Sequence, residues 1–454
     1  MNYEDSVRSL LALGRELAAP QQASVQKFGL ENITILSAEL GNPHRAVPCV
    51  HIAGTNGKGS TAAMLESILR ASGLRTGLYT SPHLERINER IRITGEDISD
   101  ETFAAVWTRV RASIESLMAA GKLAAHPTYF ECLTAMAFLA FAEQRVDFAV
   151  YEVGLGGRLD ATNIVNPEVA VITPVDFDHE NFLGHSIEEI VGEKAGIIKS
   201  GACVVSSSER PEARAVIAQR CAALGARLVE VDHVWQIENV RASDGCYSAS
   251  AISTELSRRI TVEPALPGRF QIRNALAAAT ASYLLEERGF PVDDGAIARG
   301  IARVRWPGRL ERLSVQPAVY LDGTHNPAGA RELSKFWEEN FKGRRILLVY
   351  GAMRDKAVDE IAGLLFPRAD SVILTEPQQP RAISAPLLAE ITGHLAVQST
   401  VVREPGEALE RALGTAGPDD AVFATGSLYL VGDLRSYWSE RLGKTISLAA
   451  KVSS

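Results

Sequence analysis

At 454 residues the chain is long enough for more than one hydrophobic core, so at least two domains are expected. Its 46% hydrophobic and 22% charged residues are those of an ordinary globular protein, and neither an uninterrupted apolar run nor a basic, signal-like start predicts a membrane span or export. A formal net charge of −8 excludes the broad basic field that non-specific nucleic-acid binding needs, so an anionic ligand has to be drawn by local basic groups.

Pro48-Cys-Val-His-Ile-Ala53 reads as a short buried strand, and Met64, Leu65, Ile68 and Leu69 then recur at helical spacing. Between them Gly54, Thr55, Asn56, Gly57, Lys58, Gly59, Ser60 and Thr61 form a glycine-rich turn with one lysine and several hydroxyls. Glycines let backbone N–H groups approach phosphate oxygens, Lys58 supplies a point charge, and the helix N-terminus adds its positive end. The common phosphate-loop pattern has four residues between its glycines and Ser or Thr directly after Lys. Here only Thr55 and Asn56 separate Gly54 from Gly57, and Gly59 intervenes before Ser60. A glycine turn without a ligand is therefore the alternative.

Further strands are expected over Val146-Asp-Phe-Ala-Val150, Val169-Ala-Val-Ile172 and Cys203-Val-Val205, alternating with amphipathic helices to about residue 225, the pattern of a parallel sheet covered by helices. Glu152, at the end of the first of these, is placed to hold Mg²⁺ or is simply a strand-end acid. Gly154, Gly156 and Gly157 invite a dinucleotide reading, but Leu159 stands where the third glycine of that pattern belongs. After the next strand come Asp176, Asp178, His179 and Glu180, with His179 open between a metal ligand and a structural histidine. Ser186 and Glu189 then make a capping box for a helix with Ile187, Ile190, Val191 and Ile198 facing inward. On residue type alone, Lys194 of that helix is a solvated surface lysine.

Residues 228 to 263 carry short β-like stretches, consistent with a small antiparallel appendage, and Gly268-Arg-Phe-Gln271-Ile-Arg-Asn274 opens an alanine-rich helix by cap chemistry or as an adenine contact. Arg303-Val-Arg-Trp-Pro307-Gly308-Arg309 marks the expected boundary between domains 1–306 and 307–454. Beyond it, strands at 318–321, 345–350, 371–374 and 421–424 alternate with helices opening at Asn326-Pro327 and near Pro405. That is a second, smaller Rossmann-like α/β sheet, which binds ligands at the carboxyl ends of its strands. Arg309 and Asp322 read either as a linker arginine and a turn aspartate or as groups closing over ATP. Five cysteines, Cys49, Cys132, Cys203, Cys221 and Cys246, show no C-x-x-C spacing and predict thiols in a reducing, cytoplasmic compartment.

Taken together, His51-Ile-Ala-Gly-Thr-Asn-Gly-Lys-Gly-Ser60, Tyr79-Thr-Ser-Pro-His-Leu84, Thr128-Tyr-Phe-Glu131, Glu152 to Asn163, Glu193-Lys-Ala-Gly-Ile197, Asp322-Gly-Thr-His-Asn-Pro327 and Gly426-Ser-Leu-Tyr-Leu430 resemble the folylpolyglutamate synthase and dihydrofolate synthase family. The blocks stand in that family's order and span nearly the whole chain. The resemblance implies an ATP-dependent amide ligase of the superfamily that includes the muramyl-peptide ligases, with a P-loop-containing ATPase domain and a smaller Rossmann-like domain. It also accounts for the altered glycine turn, which is the family's own version.

Carried over by motif, the resemblance implies that Ser60, Ser81, Glu152 and His179 serve Mg²⁺, and that Gly54 to Thr61 hold the nucleotide. Asn274, Arg309, Asp322 and His325 match ATP contacts, and Thr128, Tyr129, Phe130, Glu131 and Asp160 match the region that contacts the pterin substrate. Lys58, His179 and Lys194 are implied in catalysis, with Lys194 matching a lysine that is carbamylated in the family. Asp355-Lys356-Ala357 departs from the pattern, which usually has a second aspartate after the lysine. A muropeptide ligase is the nearest competitor, disfavoured because only 53 residues precede Gly54. A small-molecule kinase and a nucleotide-dependent switch are more distant ones. The expected partners are pterin or folate, L-glutamate and ATP, with no nucleic acid or membrane, and a monomer or weak dimer.

Overall fold

The computed structural model describes residues 1–14, 29–395 and 397–452, the side chains of 442–452 excepted. They divide into two compact units, one of residues 1–241, 248–265 and 271–304, the other of 242–247, 266–270 and 305–454. Among the described residues no helix is long and apolar enough to cross a membrane.

In the first unit, strands β1 (Cys49–Ala53), β2 (Thr76–Tyr79), β3 (Ile91–Ile93), β4 (Glu96–Asp97), β5 (Phe148–Glu152), β6 (Val169–Ile172), β7 (Cys203–Ser206) and β8 (Arg227–Glu230) form one sheet in the order β4-β3-β2-β5-β1-β6-β7-β8. From β2 to β8 all neighbours are parallel, while β3 and β4 add an antiparallel edge. Near-continuous burial of β1, β5 and β6 is what a sheet covered on both faces requires. One face packs Trp107, Phe138, Phe141 and Tyr151; the other packs Ile172, Ile190, Val204 and Ile217. Fully burying each of these side chains contributes roughly 1.5–3 kcal/mol relative to exposure.

The topology fixes where a ligand can bind. β1 is central, with β5 on one side and β6 on the other, so the chain leaves β1, β5 and β6 at the same sheet edge around the point where strand order reverses. Of the appendage expected over 228–263, residues 228–230 belong instead to β8 of the main sheet, and the rest holds a three-stranded sheet of β9 (Gln236–Ser243), β10 (Cys246–Ser253) and β11 (Arg258–Val262), with β10 and β11 antiparallel.

The second unit holds β12 (Glu311–Val315), β13 (Ala318–Leu321), β14 (Ile346–Tyr350), β15 (Ser371–Leu374), β16 (Ser399–Val401) and β17 (Ala421–Thr425) in the order β12-β13-β17-β14-β15-β16. Only β12 runs antiparallel to its neighbour. Its core is aromatic, with Tyr320 stacked on Phe423 at 5.1 Å between ring centres. Asn326 caps the helix Pro327–Asn340 by accepting from the Gly329 N–H, and Ala408, Leu409 and Ala412 bury one face of the helix Pro405–Thr415.

Candidate active site

The glycine turn after β1 is fixed by close approach. Gly54 has φ +153° and Gly57 φ +83°, and a Cβ at Gly54 would collide with the Thr173 side chain. At Gly57 a Cβ would stand 2.5 Å from Asn274 Oδ1. The Thr55 and Asn56 N–H groups both donate to Pro174 O, at 2.9 and 3.2 Å, and Thr55 Oγ1 donates to Asp176 O at 2.9 Å. Thus the loop after β6 braces the turn after β1. The helix Lys58–Ala71 begins at Gly57 without a side-chain cap, and the first-turn amides of such a helix present their positive end to the turn. Ser60 and Thr61 are buried in that first turn, and Gln271 Nε2 donates to Ser60 Oγ at 3.4 Å. Asn274 in turn donates to Gln271 Oε1 at 2.9 Å, so the alanine-rich helix Gln271–Glu287 brings two amides against the turn.

Two lysines converge on one carbonyl. Lys58 Nζ folds back to donate to Gly54 O at 3.0 Å and Thr55 O at 3.1 Å, and Lys194 Nζ donates to the same Gly54 O at 2.9 Å. Lys194 is therefore not the solvated residue its type suggests: it is 4% exposed in the last turn of the helix Ile187–Lys194. Burial, reinforced by the Lys58 charge and opposed by Asp178, pulls its pKa down to about 7.

The loop after β5 packs against that helix. A Cβ at Gly157 would stand 2.9 Å from both Glu193 O and Lys194 O, and the Arg158 N–H donates to Glu193 O at 2.8 Å. At the head of this loop Glu152 is buried, its Oε2 accepting from the Ser81 N–H at 3.3 Å. His179 follows β6 in the left-handed region at φ +52°, with Nε2 3.9 Å from Asp178 Oδ2.

A carboxylate, a serine hydroxyl and an imidazole suit a hard divalent cation that keeps several waters and takes phosphate oxygens, as Mg²⁺ does. Among the described residues no three His, Cys, Asp or Glu side chains gather closely enough to form an all-protein cage. Ser81 and buried Glu152 meet at the end of β5, and His179 follows the end of β6, a donor set of the chemistry that a shared Mg²⁺ site uses.

The residues expected to contact substrate also have structural work. Thr128 and Glu131 form a reciprocal capping box for the helix Tyr129–Glu143, at 2.8 and 3.2 Å. Burial raises the Glu131 carboxyl above its usual range. Tyr129 lies under the Arg90 guanidinium at 5.6 Å, and Phe130 occupies the space that a Cβ on Gly154 would fill, at 2.6 Å. Phe130 is thereby set against the loop that follows Glu152. Asp160 is buried, and its Oδ2 accepts from the Gly154 and Leu155 N–H groups at 3.0 and 3.1 Å while Oδ1 accepts from Thr162. It shapes this loop from within.

In the second unit Asp322 is buried at the end of β13, its two oxygens accepting from the Leu310 N–H at 2.9 Å and the Thr324 N–H at 3.0 Å. Arg309 Nη1 would lie 3.1 Å from a Cβ on Gly323, and His325 Nδ1 pairs with Gly323 O at 2.8 Å, so these three residues share one strand-end turn. Sequence reading named Gln271 and His51 only as members of longer motifs and gave neither them nor Thr173 a role of its own. Their signal is a polar residue inside an apolar run, which by itself does not distinguish a site from a satisfied core group.

Residues 52–282 match the Mur ligase middle domain and residues 308–428 the Mur ligase glutamate ligase domain. The chain is 37% identical over 417 residues to the dihydrofolate synthase/folylpolyglutamate synthase of Bacillus subtilis, covering 90% of this chain and 94% of the relative. Among solved structures it is similar to Mycobacterium tuberculosis folylpolyglutamate synthase complexed with ADP and AMPPCP, at TM-score 0.85 and 32% identity over 95% of this chain and 99% of that one. It is likewise similar to Escherichia coli FolC in complex with DHPP and ADP, at TM-score 0.83 and 30% identity over 97% and 98%. The chain belongs to the folylpolyglutamate synthase and dihydrofolate synthase family of Mur ligases.

Proposed function

We propose that this chain is an ATP-dependent carboxylate–amine ligase that joins L-glutamate to dihydropteroate, giving dihydrofolate, and to the γ-carboxylate of a reduced folate, extending a polyglutamate tail. The observation that carries the reading is the convergence of Lys58 and Lys194 on Gly54 O, on a phosphate-type turn braced by the loop after β6.

A carboxylate is a poor acyl donor because its oxygen is a bad leaving group. Its oxygen therefore attacks the γ-phosphorus of ATP, ADP departs, and an acyl phosphate results. The glutamate amine then attacks the acyl carbon, loses a proton, and inorganic phosphate leaves with the C–O bond electrons. In the first step Lys58 swings from its loop carbonyls to the transferring phosphoryl group, and the turn amides and helix N-terminus hold the remaining phosphates. Ser60, Ser81, Glu152 and His179 would hold Mg²⁺, which would offset charge on the phosphate oxygens. Asn274 serves ATP from beside the turn, and Arg309, Asp322 and His325 match ATP contacts of the family by motif. Phe130 and its neighbours Thr128, Tyr129, Glu131 and Asp160 form the pterin side.

Lys194 with a pKa of about 7 is roughly half neutral at neutral pH. A neutral amine is the form that CO₂ carbamylates, and the carbamate anion replaces repulsion from Lys58 with attraction, which favours modification there. No disulfide joins the five cysteines, in keeping with a reducing compartment, and we place the action of the protein in the cytoplasm, on small molecules, as a monomer or weak dimer.

The test is ADP release with dihydropteroate, tetrahydrofolate and a muropeptide as acceptors, each with and without L-glutamate, and mass analysis of the product. Glutamate-dependent release with both pterin acceptors, each product heavier by one glutamyl residue, is expected. Release with the muropeptide alone overturns the substrate assignment. Failure to rescue growth of a strain lacking dihydrofolate synthase removes the first activity and leaves the second.

A further inference from the structure

His51 stands in the middle of β1 and is fully buried, an imidazole in a strand whose other members are Cys49, Val50, Ile52 and Ala53. Its Nε2 lies 2.8 Å from Thr162 Oγ1. The Thr162 hydroxyl is simultaneously in a very short hydrogen bond to Asp160 Oδ1. Asp160 in turn accepts the Thr162, Gly154 and Leu155 N–H groups. This chain of contacts runs from the strand that feeds the phosphate turn to the loop that follows Glu152.

The two ring nitrogens of His51 differ in their surroundings, and that selects its tautomer. Burial raises the Asp160 carboxyl above its usual range, opposed by the Thr162 hydroxyl and the Thr162, Leu155 and Gly154 N–H donors, and the single Thr162 proton goes to Asp160 Oδ1. Thr162 Oγ1 must then accept, and His51 must donate from Nε2–H. The opposite tautomer would put a proton on Nδ1, which is buried with no hydrogen-bond partner among the described residues, and an unmet buried donor is costly. Burial and the nearby Lys199 charge push the His51 pKa down to about 3, which keeps the ring neutral. Lys199 itself donates to Asn163 O and Oδ1 at 2.8 and 2.9 Å, pinning the far end of the same loop.

We infer that His51, as the neutral Nε2–H tautomer, is a positioning residue for the pterin side of the site, acting through Thr162 and Asp160 on the Gly154–Leu155 backbone against which Phe130 packs. This rests on the ligase reading above. His51 touches neither substrate nor phosphate. Its effect is to hold Gly154 where the Phe130 ring fits, with the acceptors of Asp160 filled.

A purely structural histidine in β1 would disturb the phosphate turn, two residues on from Ile52, at least as much as the pterin side. A positioning residue divides the two. In steady-state kinetics His51→Leu is expected to raise the KM for the pterin or folate acceptor about tenfold while the KM for ATP changes less than about twofold. His51→Gln, whose amide N–H lies where Nε2–H was, restores the acceptor KM; His51→Asn, whose amide lies nearer Nδ1, does not. Thr162→Val reproduces the loss, and the His51→Leu/Thr162→Val double variant is no worse than either single one. Equal changes in both KM values, or no difference between the Gln and Asn variants, overturn the inference.

Nitrogen NMR of ¹⁵N-histidine-labelled wild-type protein, with His51→Gln to assign the signal, supplies a readout independent of turnover and of variant folding. A protonated Nε2 and bare Nδ1 are expected, and a protonated Nδ1 contradicts the inference. Absence of glutamate-dependent turnover in the wild type would instead count against the ligase reading, and the tautomer would still be read.

Discussion

The two sheets of this protein both place an acid at the end of a parallel strand, but they use it differently. At the end of β5, Glu152 accepts from the Ser81 N–H, 71 residues away in the sequence, and the strand-end loops around it cross-link where the Thr55 and Asn56 N–H groups donate to Pro174 O. At the end of β13, Asp322 has both oxygens occupied by backbone donors of its own turn, Leu310 and Thr324. The first arrangement keeps charge and acceptors concentrated in a small buried volume, where electrostatic interactions are strong. The second spends its carboxylate on turn geometry, so its removal is felt in stability as well as in any contact it makes.

The largest expected break in this comparison is Gly54→Ala. The added methyl meets Thr173 at a φ of +153°, and a loss of about 2–4 kcal/mol, with nucleotide binding abolished, is expected from chemical denaturation and ATP titration. An alanine variant of native stability that binds ATP normally would show that the turn has room to spare.

Asp322→Asn comes next. It keeps shape but turns one acceptor oxygen into a donor facing an N–H group, and about 1–3 kcal/mol of stability should be lost. If the melt is unchanged while the KM for ATP rises, Asp322 is not holding its turn, and the contrast with Glu152 fails.

Lys194→Met sharpens the first half of the comparison through pH. The folded-state pKa of Lys194, about 7, lies below its ordinary value of 10.5, so the cost of burying the ammonium is fully present below pH 7. It is relieved as pH rises from about 7 toward 10.5, where the unfolded chain binds a proton that the folded one does not. In CO₂-free buffer, where the amine is unmodified, the variant should therefore gain stability over wild type at pH 6, with the gain shrinking as pH rises through that window. A difference in melting temperature that is flat across it would mean the amine is not carried as a buried cation. The smallest effect is expected of Thr128→Ala, which removes half of a capping box for about 1 kcal/mol, measured by thermal unfolding.

Much of the first unit was legible in the sequence because its signals are local. The strand before Gly54, the glycine turn and the capping box at Ser186 each lie within a few residues, as does the Asn326-Pro327 helix start of the second unit. β5 runs to Glu152 rather than stopping at Val150, which moves the acid from after the strand to its last position. Long-range placement was not legible. A helical lysine next to a glutamate carries nothing that says it will reach a carbonyl 140 residues upstream, yet Lys194 does. Similarly, His51 looks like the start of a motif, and only the pairing of β1 with β5 brings it to Thr162. The short antiparallel pair β3 and β4 also escaped notice, because an edge of two or three residues has too little periodicity to show.

The account turns on the strand ends of the first unit carrying phosphoryl transfer, and ADP formation by Glu152→Gln and Lys58→Ala, each checked for an unchanged melting transition, tests it most directly. The account predicts that both variants fold and that glutamate-dependent ADP formation falls at least about a thousandfold in each. Turnover near the wild-type rate in either folded variant would contradict it.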